Sequence, residues 1–199
     1  MKTVLLIALV LGLISTVTAQ TSNTAGSGAG ECKLTLAQAP VIRGIRLGMT
    51  AEQVLAQIPG AESDSNLLAG LSRDYFGSRS SSVAPGNYAT AKEKFAGISS
   101  INVTFLDGRL VSLYIQYAGP EWRSNEQFVA RLAEVLSLPS IGSWKPSNNG
   151  LALMCDGFEI WGRGNPPVIA MKDLKADTAK VVREREEVLK EKARRAFKP

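Results

Sequence analysis

A nine-residue phrase occurs twice in the chain, 74 residues apart: Thr50-Ala-Glu-Gln-Val-Leu-Ala-Gln-Ile58 and Ser124-Asn-Glu-Gln-Phe-Val-Ala-Arg-Leu132. Each copy opens on a hydroxyl residue, carries Gln three places on, and then turns apolar at helical spacing. A hydroxyl at the N-cap and a glutamine at N3 satisfy each other's backbone amides, so the phrase predicts a helix start. Its return at long range predicts one architectural unit used twice.

The flanking residues extend both units. In the first, Met49 and Val54 are placed as a hydrophobic staple, while Ala51, Val54, Leu55 and Ile58 fall on one helix face. Pro59-Gly60 ends that helix. Ile101, Val103 and Phe105 alternate with polar residues, as do Val111, Leu113 and Ile115, which predicts a hairpin around Asp107-Gly108. A two-residue Asp-Gly turn would put these apolar sets on opposite faces. A three-residue loop, with Gly108 as a left-handed bulge, sets Val103 opposite Val111 and is the expected form. A further strand is expected around residues 71–76, and the Gly/Ser/Pro-containing residues 77–97 read as a mobile loop.

In the second unit Phe128, Leu132, Val135 and Leu136 form the expected buried stripe, and Pro139 stops the helix. Strands follow over residues 151–155, 158–162 and 167–172, with a turn at Asp156-Gly157. The pattern predicts an α+β fold. Two related helix-plus-antiparallel-sheet units (about 41–119 and 120–172) share one globular domain, residues 32–172, followed by a C-terminal amphipathic helix, residues 173–199.

Residues 4–14 form an apolar run after Lys2 and precede the small-residue site Val17-Thr18-Ala19. That order predicts a signal peptide over residues 1–19, since the run is shorter than the roughly 20 residues of a spanning helix. Residues 20–31 are rich in Gly, Ser and Thr and read as a flexible leader. In an exported chain, periplasmic or secreted, the two cysteines, Cys32 and Cys155, predict a disulfide. The net charge of +5 is local. Residues 20–171 hold 12 Lys and Arg against 12 Asp and Glu, whereas residues 172–199 hold 10 against 6. A neutral body argues against a nucleic-acid partner.

The tail helix carries a thin apolar seam of Val181/Val182, Val188/Leu189 and Ala196/Phe197. Docking on the domain surface is the expected use. A coiled-coil contact or a basic contact with an anionic envelope surface are the alternatives.

The phrase Ile45-Arg-Leu-Gly-Met-Thr-Ala-Glu-Gln-Val-Leu55, with Phe105-Leu-Asp-Gly-Arg-Leu110, resembles the β-lactamase inhibitory protein family. A similar phrase occurs in small outer-membrane lipoproteins that assist β-barrel assembly. The inhibitor-family resemblance implies two tandem helix-plus-antiparallel-sheet units. It covers about 25 residues, the second copy lacks Gly-Met, and the cysteines are placed differently from the family's pair within each unit. Asp74-Tyr75 parallels an Asp-Tyr pair on the family's inhibitory loop, a dipeptide match too short to carry a target across.

The chain has no histidine, which removes His-based nucleophile systems and His-ligated metals. No S-x-x-K, G-x-S-x-G or Walker phrase is present. The expectation is therefore a non-catalytic binding module without cofactor or metal, engaging a protein partner in the envelope or outside the cell. Tyr75, Tyr88 and Trp144 are its candidate contacts, as aromatics near loops. The alternatives are an envelope structural or assembly factor acting through the C-terminal helix, where any membrane contact would also lie, and a histidine-free hydrolase.

Overall fold

The computed structural model describes residues 32–196. The expected signal peptide and leader, and Phe197 of the tail seam, lie outside the described residues. Seven strands form one antiparallel sheet: β1 (Ser78–Val83), β2 (Ile98–Leu106), β3 (Arg109–Tyr117), β4 (Lys145–Ser147), β5 (Gly150–Met154), β6 (Phe158–Gly164) and β7 (Pro167–Asp173). Their order is β1-β2-β3-β7-β6-β5-β4. The α-helices are α1 (Ala51–Leu55), α2 (Ser65–Ser72), α3 (Asn125–Val135) and α4 (Leu174–Ala196). The fold is α+β, and each unit runs from helix into meander. The two meanders join edge to edge where β3 pairs with β7.

One face of the sheet carries the core. Ile101, Leu113, Ile115, Leu153, Ile160, Ile169 and Met171 are almost fully buried there, packed with Val54, Ile58 and Leu67 from one unit and Phe128, Val129 and Leu132 from the other. Each large apolar side chain buried in this way contributes about 1.5–3 kcal/mol, so this single cluster holds both units together.

The first repeat copy caps α1 as its residues demand. Gln53 N–H donates to Thr50 Oγ1 at 3.3 Å, and Thr50 N–H donates to Gln53 Oε1 at 2.9 Å. In the second copy Gln127 N–H donates to Ser124 Oγ at 3.2 Å.

The hairpin corrects the expected loop. Leu106 pairs with Arg109 across a two-residue turn in which Asp107 and Gly108 have φ of 50° and 75°. Phe105 then faces Leu110 while Thr104 faces Ser112, so Val111 is an extra residue in β3. This bulge shifts the register by one. It sets Val103 opposite Leu113 and Ile101 opposite Ile115, and restores both apolar sets to one face.

Residues 71–76 are not a strand. Asp64 accepts from Asn66 N–H and Leu67 N–H at 2.9 and 3.0 Å and starts α2 in its place. The strand is β1, inside the stretch read as a loop. Serines hide it from a hydropathy pattern, because Ser81 Oγ bonds Leu67 O at 3.2 Å and Ser80 Oγ bonds Thr104 Oγ1 at 3.0 Å in place of apolar packing. On α3 the buried face is Phe128, Val129, Leu132 and Ala133, with Val135 at 63% exposure. Gly162 draws the helix this way, since a Cβ there would stand 2.9 Å from Val129.

Cys32 and Cys155 are joined in a disulfide across 123 residues. Beside it Asp156 N–H donates to Leu34 O at 2.9 Å, fastening the start of the described chain to the second unit.

Helix α4 leaves β7 and runs along the rim where β2 and β3 turn. Lys172 bridges Glu159 and Asp177 at 3.0 and 3.5 Å, and Arg183 grips both carboxylate oxygens of Asp107 at 2.7 and 2.6 Å. The apolar seam does not make this contact. Val181, Val182, Val188 and Leu189 stay 49–58% exposed, because the docked side consists of Lys180, Arg183, Glu184 and Glu187, with Val188 at its edge beside Tyr75 and Phe76.

Candidate functional site

Where the two units meet, on the helical side of the sheet, lies a groove of about 820 Å³. One wall is the flank of α3, with Phe128, Leu132, Val135 and Leu136. The facing wall is residues 41–43, and Tyr117 of β3 and Pro167 of β7 line it at the sheet. The linker between units, residues 118–123, closes one end. The lining is mainly apolar, a property shared by sites that take ligand side chains or small molecules.

Short local structures build each wall. Ile42 and Ile45 exchange backbone hydrogen bonds of 2.9 and 2.9 Å, closing a two-residue turn with φ of 53° at Arg43 and 90° at Gly44. Asn or Asp is the favoured first residue in such a turn; arginine in the left-handed region costs about 1–2 kcal/mol. The turn holds Arg43 on the groove rim. Burial raises the Tyr117 hydroxyl pKa, and the Arg43 charge pulls it part of the way back.

On the other side Trp122 N–H donates to Gly164 O at 3.2 Å. Its ring meets Phe128 edge-on at 5.5 Å, and Phe128 meets Tyr117 edge-on at 6.1 Å. Such pairs add about 0.5–1.5 kcal/mol each beyond area burial, so the three rings form a fixed wall. Gly164 is required here by close approach. A Cβ would sit 2.9 Å from Ser124 O and 3.0 Å from Trp122 Cβ. Asn125 Oδ1 accepts from Gly164 N–H at 2.9 Å and locks the β6–β7 hairpin to the start of α3.

The rim is basic. Arg43, Arg123 and Arg131 stand against Glu121 among the lining residues. Arg131 is paired with Glu134, while Arg43 and Arg123 have no ion-pair partner among the described residues. Gln127 also lines the groove. Its twin Gln53 is occupied in capping α1, whereas Gln127 makes no reciprocal cap bond among the described residues. The repeat has diverged at this position, from helix cap to groove wall.

The aromatics singled out in the sequence lie elsewhere and apart from one another. Trp144 is 6% exposed and donates its indole N–H to Pro139 O at 3.0 Å, so it belongs to the core and offers no contact surface. Tyr88 donates its hydroxyl to Asp64 at 2.6 Å; burial first, and then this bond, push its pKa up to about 12. Tyr75 is 64% exposed, its ring tilted against that of Phe76 at 4.2 Å, at the α4 end of the sheet. Trp122 was not singled out in the sequence; its place as an aromatic inside the Gly-Pro linker between the units is the signal that could have found it.

The sheet's other face is a second surface. Tyr114 and Trp161 meet edge-on at 5.9 Å, both partly exposed, beside the 54%-exposed Met154. Among the described residues there is no group of three or more acidic or cysteine side chains placed to hold a metal. Comparison with family models, characterised proteins and solved structures returns no match, so any functional reading rests on this chain's own geometry.

Proposed function

We propose that the protein is an exported, non-catalytic protein-binding module whose partner inserts a short apolar segment, flanked by acidic residues, into the groove between the units. The observation that carries this reading is an apolar groove of about 820 Å³ with Arg43 and Arg123 unpaired on its rim. Apolar walls with fixed aromatic rings supply anchoring area, and rim charges steer and orient an oppositely charged partner. Glu121 is the one carboxylate among the lining residues, which favours holding over acid–base chemistry requiring a second proton-handling group. The Cys32–Cys155 disulfide supports an oxidising, extracytoplasmic setting. The two-unit architecture is also what the resemblance to the inhibitor family implies.

Selection of displayed peptides on the immobilised protein tests the reading. Enrichment of peptides combining large apolar and acidic residues is expected, with binding lost in Arg123→Glu and Val135→Asp. Selected peptides that bind these variants undiminished but lose affinity in Tyr114→Ala/Trp161→Ala would move the site to the open sheet face and refute the groove.

A further inference from the structure

We infer that the outward side of α4 is a docking surface for an anionic lipid bilayer. The helix sorts its charges by side. Asp177, Glu184, Glu187 and Glu191 are half-buried, turned towards the domain or its flanks. The exposed positions carry Lys175, Arg185, Lys190, Lys192, Arg194 and Arg195, with Glu186 as the exposed acid. Lys190, Arg194 and Arg195 are tied to Glu187 or Glu191 in exposed pairs of small energetic weight. Lys175, Arg185 and Lys192 have no ion-pair partner among the described residues.

At 100° per residue, Arg185 and Lys192 fall on the same stripe as Val181, Val182, Val188 and Leu189. The stripe is therefore apolar and basic, without an acid. A helix of this composition lies flat in a bilayer interface, its apolar residues among the acyl chains and its cations at anionic headgroups. The same stripe opposes self-pairing, because a second copy would bring Arg185 and Lys192 against their own kind. Arg183 bound to Asp107, and Lys172 bound to Glu159 and Asp177, hold the helix to the domain by its other side. Val188 and Lys192, at the edge of the stripe, line a shallow pocket with Tyr75 and Phe76, and the rest of the stripe is presented outward without unfolding. Asp173 leads into α4 and Pro167, at the other end of β7, lines the groove, so the two surfaces stand about 20 Å apart along the strand.

Vesicle co-sedimentation tests this, using the disulfide-bonded chain without residues 1–19, since the described fold lies wholly within residues 32–196. The probes are phosphatidylcholine vesicles with and without one-quarter phosphatidylglycerol. Binding to the anionic vesicles is expected, weak on the neutral ones and weakened by salt. Arg185→Gln/Lys192→Gln is expected to lower the partition coefficient roughly thirtyfold, at about a factor of five per surface cation. Val181→Asn/Leu189→Asn also lowers it, and the groove variant Val135→Asn leaves it unchanged. Circular dichroism confirms that each variant is folded.

Equal binding to both vesicles, no binding to either, or no loss in the cation variant overturns the inference. Two further results also overturn it. One is a dimer in sedimentation equilibrium without lipid that Val181→Asn/Leu189→Asn dissolves, which assigns the stripe to a second copy. The other is binding to polyglutamate as tight as to vesicles and indifferent to the apolar substitutions, which assigns it to an acidic polypeptide. The groove reading stands or falls separately, since its variants are scored on peptides and not on vesicles.

Discussion

Arg43 is an arginine in a turn conformation that asparagine adopts with little strain, and its guanidinium stands on the rim of the groove. Local strain of this kind is retained where the side chain is needed. Arg43→Asn is expected to raise unfolding stability by about 1 kcal/mol in urea melts while weakening groove ligands; a loss of stability would contradict the strain argument. Tyr88 offers a test of a packed aromatic. Its folded pKa of about 12 lies above the ordinary value of 10.0, so the fold favours the neutral phenol. The associated stability is present below pH 10 and is lost as pH rises towards 12. Ultraviolet titration should show a tyrosine ionising near pH 12 that disappears in Tyr88→Phe; unchanged titration curves would place the hydroxyl in solvent.

At the scale of elements, the repeated phrase was a sound guide to where each unit begins but a poor guide to how each copy is used. Gln53→Ala is expected to cost about 0.5–1 kcal/mol. Gln127→Ala should be near neutral for stability and should alter groove binding instead. Equal destabilisation by the two, measured by chemical denaturation, would mean the copies cap alike. Helices α1 and α3, the paired apolar strands and the disulfide were legible because periodicity and cysteine count report burial directly, whereas α2 carries no such pattern and was missed. The serine strand β1 was not, since its side chains bond to Leu67 O and Thr104 in place of filling a core. The proline-containing edge strand β4 gave no alternation either, and all three of its residues are exposed. The groove was illegible for another reason: its walls come from residues 41–43, 117–123 and α3, which only the β3–β7 pairing brings together.

For the whole molecule, the disulfide and the β3–β7 pairing act with the shared apolar cluster to make two short units one body. Closing 123 residues corresponds to about 5 kcal/mol on the chain-entropy model. Cys32→Ser/Cys155→Ser is therefore expected to lose about 2–5 kcal/mol of unfolding free energy while the sheet persists in circular dichroism; a change below 1 kcal/mol would show that the start of the described chain is held without it. The central β3 and β7 carry the groove at one end and lead to α4 at the other, an arrangement suited to holding a partner away from the surface on which α4 lies. The groove as the partner site is the central claim, and photocross-linking in the producing cell addresses it most directly. With a photoreactive residue placed in turn at Val135 in the groove and at Met154 on the open sheet face, the account predicts a discrete partner adduct from Val135 alone, abolished by Arg123→Glu. Adducts from Met154 and none from Val135 would contradict it.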